Sequence, residues 1–240
     1  MMPSHRNHSA PVHRRQFLRG VIGFAGLLTN WRPAAPLVCP QRPPPNRLST
    51  EERAAGWNLL FDGRTLDGWR ASDAPGTFHV RDGAIVVRGP VSHLYYLGPV
   101  GNHDFKDFEL RLDVKTYPGA NSGVYFHTEW QPSGFPSKGH EVQVNNSHSD
   151  RRRTGGLYGI KDNLEVPAAD GTWFTLSIAV VGKHVVTRVD DVVIVDYSEE
   201  ANPVRPPESA RRLLSSGTFA LQGHDPGSEV HYRDLKVRSV

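Results

Sequence analysis

The sequence predicts an all-β domain built as an antiparallel sandwich or barrel, and three observations carry that prediction. Apolar and polar residues alternate with period two in many short runs. Gly and Pro residues punctuate the intervals between those runs. Helical patterning is scarce, and no repeat of fixed period marks a propeller or solenoid. At 240 residues the chain is long enough to bury a sizeable core, and its single Cys excludes an intrachain disulfide framework or a C-x-x-C site.

Taken in order, residues 1–39 hold Arg6, Arg14, Arg15, Arg19 and Arg32 and no acid. Taking those five from the 28 basic residues leaves 23 against 25 acids, so the net charge of +3 becomes −2 for the rest of the chain. The body therefore lacks the basic footprint of a nucleic-acid binder, and Arg151-Arg152-Arg153 reads as a solvated loop. Arg14-Arg15-Gln16-Phe17-Leu18 ahead of the short apolar run Gly20–Leu28 is the pattern of an export signal, which we assign to residues 1–35. Its paired arginines resemble a twin-arginine leader. The apolar run is too short to span a bilayer, which takes roughly 20 residues. We expect an exported protein, periplasmic or extracellular, with no membrane span. Residues 36–55, with Gln41-Arg42-Pro43-Pro44-Pro45, read as a proline-stiffened linker. Ser49 to Ala55 is set up for a short capped turn of helix inside it.

The folded domain is predicted over 56–240. Phe108–Val114 and Phe174–Val180 alternate apolar and polar without a break. Val185–Val189 and Val192–Tyr197 flank Asp190-Asp191, a two-residue hairpin turn. Phe219–Leu221, Val230–Tyr232 and Leu235–Val237 complete the run of strands, and Glu208–Leu214 is a candidate helical turn.

The strand His140–Asn146 carries the functional signal. Side chains alternate across a strand, so Glu141, Gln143 and Asn145 share one face while Val142 and Val144 enter the core. A carboxylate and two amides at regular spacing suit a ligand with many hydroxyls, such as a carbohydrate. A solvated outer face is the alternative. Tyr125 and His127 on the strand from Asn121, and Gln222 with His224 near the C-terminus, extend the same kind of face. Trp130, beside the Pro- and Gly-rich loop 131–138, is the tryptophan best placed to stack on a sugar.

These same segments carry a resemblance. Leu59–Trp69 (LLFDGRTLDGW), Asn121–Phe126 (NSGVYF), Gly139–Val144 (GHEVQV) and Leu221–His224 (LQGH) resemble, in this order, the 3-keto-disaccharide hydrolase domain family. The resemblance implies a concanavalin A-like jelly roll of two antiparallel sheets with the ligand groove on the concave one. It implies action on glycosides oxidised to a ketone at C3. The family's polar positions fall on Glu141, Gln143, Gln222 and His224, and Tyr158 follows a Gly-Gly-Leu turn like the family's. Asn145 stands where many relatives carry Asp.

A retaining glycosidase needs two carboxyl groups about 5–5.5 Å apart, whereas this strand offers one carboxylate and two amides. A single carboxylate does suit 3-keto chemistry, in which a base removes the acidified C2 proton, the C1 substituent leaves, and water adds back. On this reading Glu141 and His224 are the catalytic acid and base. Gln143, Asn145, Gln222, Tyr125, Trp130 and Tyr158 contact substrate, and Lys161 or His127 stabilises the enolate. We expect no cofactor and no metal, because no compact ligand motif is present. The competing expectation is a non-catalytic, lectin-like carbohydrate-binding module on the same fold.

Overall fold

A computed structural model describes residues 43–240, so the expected export signal and residues 36–42 of the expected linker lie outside the described residues. Among the described residues the chain forms thirteen strands and one short α-helix. Five strands make one sheet: β2 (Trp69–Ala71), β5 (Ser92–Tyr96), β12 (Thr218–Gly223), β7 (Ser122–Thr128) and β8 (His140–Val144), side by side in that order. The second sheet runs β11 (Val192–Ser198), β10 (His184–Val189), β9 (Phe174–Val181), β6 (Phe108–Thr116), β13 (Val230–Ser239), β4 (Ala84–Val87) and β3 (Phe78–Arg81). The short β1 (Asn58–Leu59) also pairs with β13. Every pairing is antiparallel, which gives the predicted sandwich.

The alternating residues do what their period requires. Leu94, Val124, Phe126, Val142, Val144 and Leu221 of the five-stranded sheet meet Leu110, Leu112, Leu176, Ile178 and Val180 of the other in one buried core. Each such side chain contributes roughly 1.5–3 kcal/mol by leaving water. Phe108 sits at its centre, packed on Phe126 and Phe219 at ring separations of 5.9 and 4.9 Å. The hydroxyls of Ser122 and Tyr232, 2.7 Å apart, link the two sheets. The β10–β11 turn at Asp190-Asp191 has positive φ at both residues, 46° and 66°, as a type I′ hairpin demands.

The fold begins earlier in the chain than expected. Asn46 exchanges hydrogen bonds with Asp234, and α1 (Thr50–Ala54) carries a capping box between Ser49 and Glu52. Glu52 in turn reaches the buried Lys236 at 2.5 Å. The end of the expected linker is thus bolted onto β13. The expected helical turn at 208–214 is reduced to a 3-10 turn at Pro207–Ser209, with local bonds from Ser209 to Pro206, Ala210 to Pro207 and Arg212 to Ser209, and it ends where Leu214 N–H turns to Glu199.

β8 is the last strand of its sheet, yet its outer edge is occupied. Gln143 N–H donates to Gly156 and its carbonyl accepts from Gly155, while Tyr158 N–H donates to the Glu141 carbonyl, all at 2.9 Å. Gly155 has φ +85°, and a Cβ there would meet Ile194 at 2.9 Å, so the tight Gly-Gly approach explains both residues. Among the described residues no helix is long and apolar enough to cross a membrane.

Candidate active site

The register of the five-stranded sheet sets two rows of side chains across its outer face. The first runs Arg70, Tyr95, Ala220, Tyr125, Glu141, each paired with the next. The second holds His93 opposite Gln222 and Gly123 opposite Gln143. A cleft of about 250 Å³ lies over the Glu141 end, lined by Tyr125, Gln143, Tyr158, Arg212, Gln222 and His224 among others.

Glu141 is the centre of the cleft. Tyr125 Oη donates to its Oε2 at 2.7 Å, and Gln222 Nε2 donates to its Oε1 at 3.1 Å and to Tyr125 Oη at 3.0 Å. Gly123 makes room for the carboxylate, since a Cβ there would stand 2.3 Å from Glu141 Oε1. Burial raises the Glu141 carboxyl to about 7, with Tyr125, Arg212, Gln222 and His224 pulling the other way. The group therefore changes protonation near neutral pH, as an acid or base in catalysis must. Burial and the neighbouring carboxylate push the Tyr125 hydroxyl well up, so it stays a donor.

Around this carboxyl stand an amide pair, a cation and an imidazole. Gln143 Nε2 donates to Asn121 at 2.6 Å, and Gln143 Oε1 and Gln222 Oε1 are buried without partners among the described residues. Two such acceptors at one cleft are suited to ligand hydroxyls. Arg212 donates to the Tyr158 carbonyl at 3.1 Å and lies over the Tyr158 ring. His224 pairs through Nδ1 with Asp225 at 2.7 Å, and Asp225 is itself fixed by Ser228 and Gly227. In the neutral ring that bond puts the proton on Nδ1 and leaves Nε2 as the basic nitrogen. His148, His224 and Asp225 offer three ligand atoms within 4.8 Å of one another. His148 Nδ1, however, accepts from Asp150 N–H, so its Nε2 carries the proton in the neutral ring and is a donor rather than a ligand. We derive no step through a metal.

A family model described as a 3-keto-alpha-glucoside-1,2-lyase-like domain matches residues 56–238. The chain belongs to that family. A curated 3-keto-disaccharide hydrolase of Bacteroides thetaiotaomicron is 26% identical over 235 residues, covering 77% of this chain and 79% of that protein. The crystal structure of a candidate glycosyl hydrolase from Parabacteroides distasonis superposes with a TM-score of 0.69 at 20% identity, covering 82% of this chain and all of the other. The carbohydrate-binding module CBM66 of Bacillus subtilis superposes at 0.51 with 14% identity, over 72% of this chain and 96% of the module. These likenesses give the 3-keto-alpha-glucoside-1,2-lyase-like domain a jelly-roll fold, and membership gives it a hydrolase-like character.

Within this family member the cleft gathers Glu141, Gln143, Gln222, Tyr125, Tyr158 and His224, and four other residues named from the sequence stand elsewhere. His127 follows a register shift between β7 and β12 and has φ +55°. That bulge turns its ring inward against Phe108, where Nε2 meets the Lys106 carbonyl and Nδ1 accepts from Ser215. Asn145 lies just past the end of β8 and is wholly committed to its own loop. It donates to the Asp150 and Arg152 carbonyls and accepts from His148 N–H. Lys161 is exposed and outside the cleft lining, and the cation there is Arg212. Trp130 has the Arg70 guanidinium 3.8 Å over its ring and packs on Tyr95, Tyr125 and Ala220, to one side of the cleft.

Arg212, Asp150 and Phe135 line the cleft without having been singled out. Arg212 gives no local signal. Its segment is held by Glu199, which accepts from Leu214 N–H at 3.0 Å, and by Arg205, which donates to the Arg212 carbonyl.

Proposed function

We propose that the chain cleaves 3-keto glycosides by elimination followed by hydration, with net hydrolysis. The observation that carries this reading is one buried carboxyl, poised near neutrality, beside a histidine, an arginine and amide acceptors, with no second carboxylate in its row. The C3 ketone acidifies the proton on C2. A base takes that proton, the C2–H electrons flow into the enolate, and the C1–O bond then breaks as the leaving oxygen is protonated. Water adds at C1 of the resulting enone and a proton returns to C2, so atoms balance as one water consumed.

Glu141 and the Nε2 of His224 are the pair that exchange these protons, and Asp225 orients His224. Arg212 stabilises the enolate oxygen through charge and N–H donors in a water-poor cleft. Gln143 and Gln222 receive sugar hydroxyls, and Tyr158 walls the cleft. The B. thetaiotaomicron relative's name supports the substrate class. From the Arg14-Arg15 leader we further infer action after export. A reporter fused behind residues 1–40 should remain cytoplasmic in cells lacking twin-arginine translocation.

The test is incubation of the purified protein with a disaccharide and with its 3-keto derivative, following release of free sugar. Cleavage of the keto compound alone is expected. Cleavage of the unoxidised sugar, or binding without cleavage of either, sinks the elimination reading.

A further inference from the structure

The row that ends at Glu141 continues past Tyr125 to Ala220, Tyr95 and Arg70. Here the outer face of the sheet is covered by Trp130 and by the loop 131–138. Beneath them lies an unusual collection of polar atoms. Both ring nitrogens of His93, the Tyr95 hydroxyl and the Trp130 indole N–H are buried and have no hydrogen-bond partner among the described residues. His93 and Tyr95 are each 0% exposed. These groups are contiguous: His93 lies 5.4 Å from the rings of both Tyr125 and Phe135 and 6.3 Å from Tyr95, which packs with Trp130. A buried donor or acceptor left unmade forfeits the hydrogen bonds it made in water, so four in one place call for a function.

The cover is slight. Phe135 is 53% exposed on its outer side while its ring edge closes on His93 and lines the cleft. The loop is held from outside by Gly134 N–H on Asp73 at 3.0 Å and by Arg211 donating to the Ser137 hydroxyl at 3.2 Å, and within itself by Gln131 bonding to Ser133, Phe135 and Ser137.

We propose that the cleft continues under this loop into a second subsite, opened by displacement of Phe135, which takes the leaving group as a neutral sugar ring. The chemistry of the lining selects that class. Tyr95 both donates and accepts, the Trp130 indole donates, and a neutral His93 offers one donor and one acceptor, which together match the hydroxyls of a pyranose. The Phe135 ring, whose edge borders His93, suits its C–H surfaces. Burial lowers the His93 imidazole to about 4, so it meets a ligand uncharged at neutral pH, while the Arg70 guanidinium is engaged 3.8 Å over the Trp130 ring. Ala220, the small residue between Tyr125 and Tyr95, adds only a methyl to the floor beneath Trp130. Two strand spacings, roughly 10 Å, separate Tyr125 from Tyr95, which is room for a second ring beside the first. The assignment of this ring as the leaving group rests on the elimination reading above; its binding does not.

Two measurements test the proposal. The first compares kcat/KM on a 3-keto glucose disaccharide with that on methyl 3-keto-glucoside, for the unaltered protein and Tyr95→Phe. The variant should lose roughly five- to tenfold more on the disaccharide than on the methyl glycoside, mainly in KM. Its Tm should hold or rise, because the removed hydroxyl is buried without a partner. Equal losses on both substrates, or a fall in Tm, would overturn the subsite. The second follows the Trp130 indole N–H by NMR, assigned through its loss in Trp130→Phe, during titration with free glucose. A saturating shift that weakens in Tyr95→Phe supports the subsite, and no shift overturns it. A shift in a protein that turns over no 3-keto sugar would keep the subsite and remove the elimination reading.

Discussion

Two glutamates, Glu141 at the cleft and Glu199 just after β11, are both buried and both hydrogen-bonded, yet they end at opposite extremes. Glu141 is met by a tyrosine hydroxyl and a glutamine amide, neutral donors that do not offset the loss of water, and its carboxyl rises to about 7. Burial also pushes Glu199 up, but its surroundings outweigh that and hold it at about 2. Lys183 Nζ sits at 2.9 Å, Leu214 N–H at 3.0 Å and Arg205 at 3.4 Å, with the His140 imidazole 3.6 Å away. Partner charge and shallower burial together separate a carboxyl that can only hold a segment in place from one that can move protons. Glu199 fixes the stretch that delivers Arg212 to the cleft, so the second glutamate builds the site in which the first works.

The sharpest way to break the comparison is Glu141→Gln, which should lower kcat on a 3-keto disaccharide by about 10²–10⁴. Binding of the substrate, read by calorimetry, should largely survive. If Glu141→Gln kept full turnover, the carboxyl would not be the acid or base. Next comes Glu199→Ala, which leaves the largely buried Arg205 and the Leu214 N–H without their carboxylate and should destabilise the fold by about 3 kcal/mol, measured by urea denaturation. A loss below 1 kcal/mol would make Glu199 a surface-like ion pair. Gly123→Ala should follow, its new methyl displacing the Glu141 carboxyl and lowering kcat/KM by about a hundredfold with secondary structure intact by circular dichroism.

The pH dependence of stability is the most diagnostic. The raised Glu141 binds its proton in the folded state over the window from 4.5 to about 7 where the unfolded chain has released it. Stability should therefore fall with rising pH there, by at most about 1.4 kcal/mol per pH unit from this group. Glu141→Gln should thus be more stable than the unaltered protein at pH 8 by a margin that vanishes near pH 4. Glu199 works in the opposite sense: its contribution is complete above 4.5 and is lost as pH falls towards about 2. Thermal unfolding across pH reads both, and a Glu141→Gln margin independent of pH would refute the first.

Local pattern made much of this legible in advance. Period two gave the strands, Asp190-Asp191 the hairpin, Ser49 and Glu52 the helix cap, and alternation on β8 the pairing of Glu141 with Gln143. Each is settled by neighbours a few residues away. The misplacements share the opposite property. His127 obeys alternation until a bulge against β12 reverses it, and Asn145 obeys it until the strand ends. Arg212 lies in irregular chain whose course is set by Glu199, thirteen positions earlier, and no periodicity reaches that far. The four buried polar atoms under loop 131–138 were invisible for the same reason, since they converge from β5 and from Trp130 only once the sheet is assembled.

The occupied outer edge of β8 has a consequence for motion. Because Gly155, Gly156 and Tyr158 take the backbone groups of Glu141 and Gln143, the wall of the cleft and the strand beneath it are stitched into a single breathing unit. Amide protons at 143 and 158 should then exchange with solvent at a common rate, and slowly for a sheet margin. Fluctuations that widen the cleft on this side must carry the carboxyl's own backbone with them, so the chemistry is shielded from the looser rhythm of the 131–138 loop across the way.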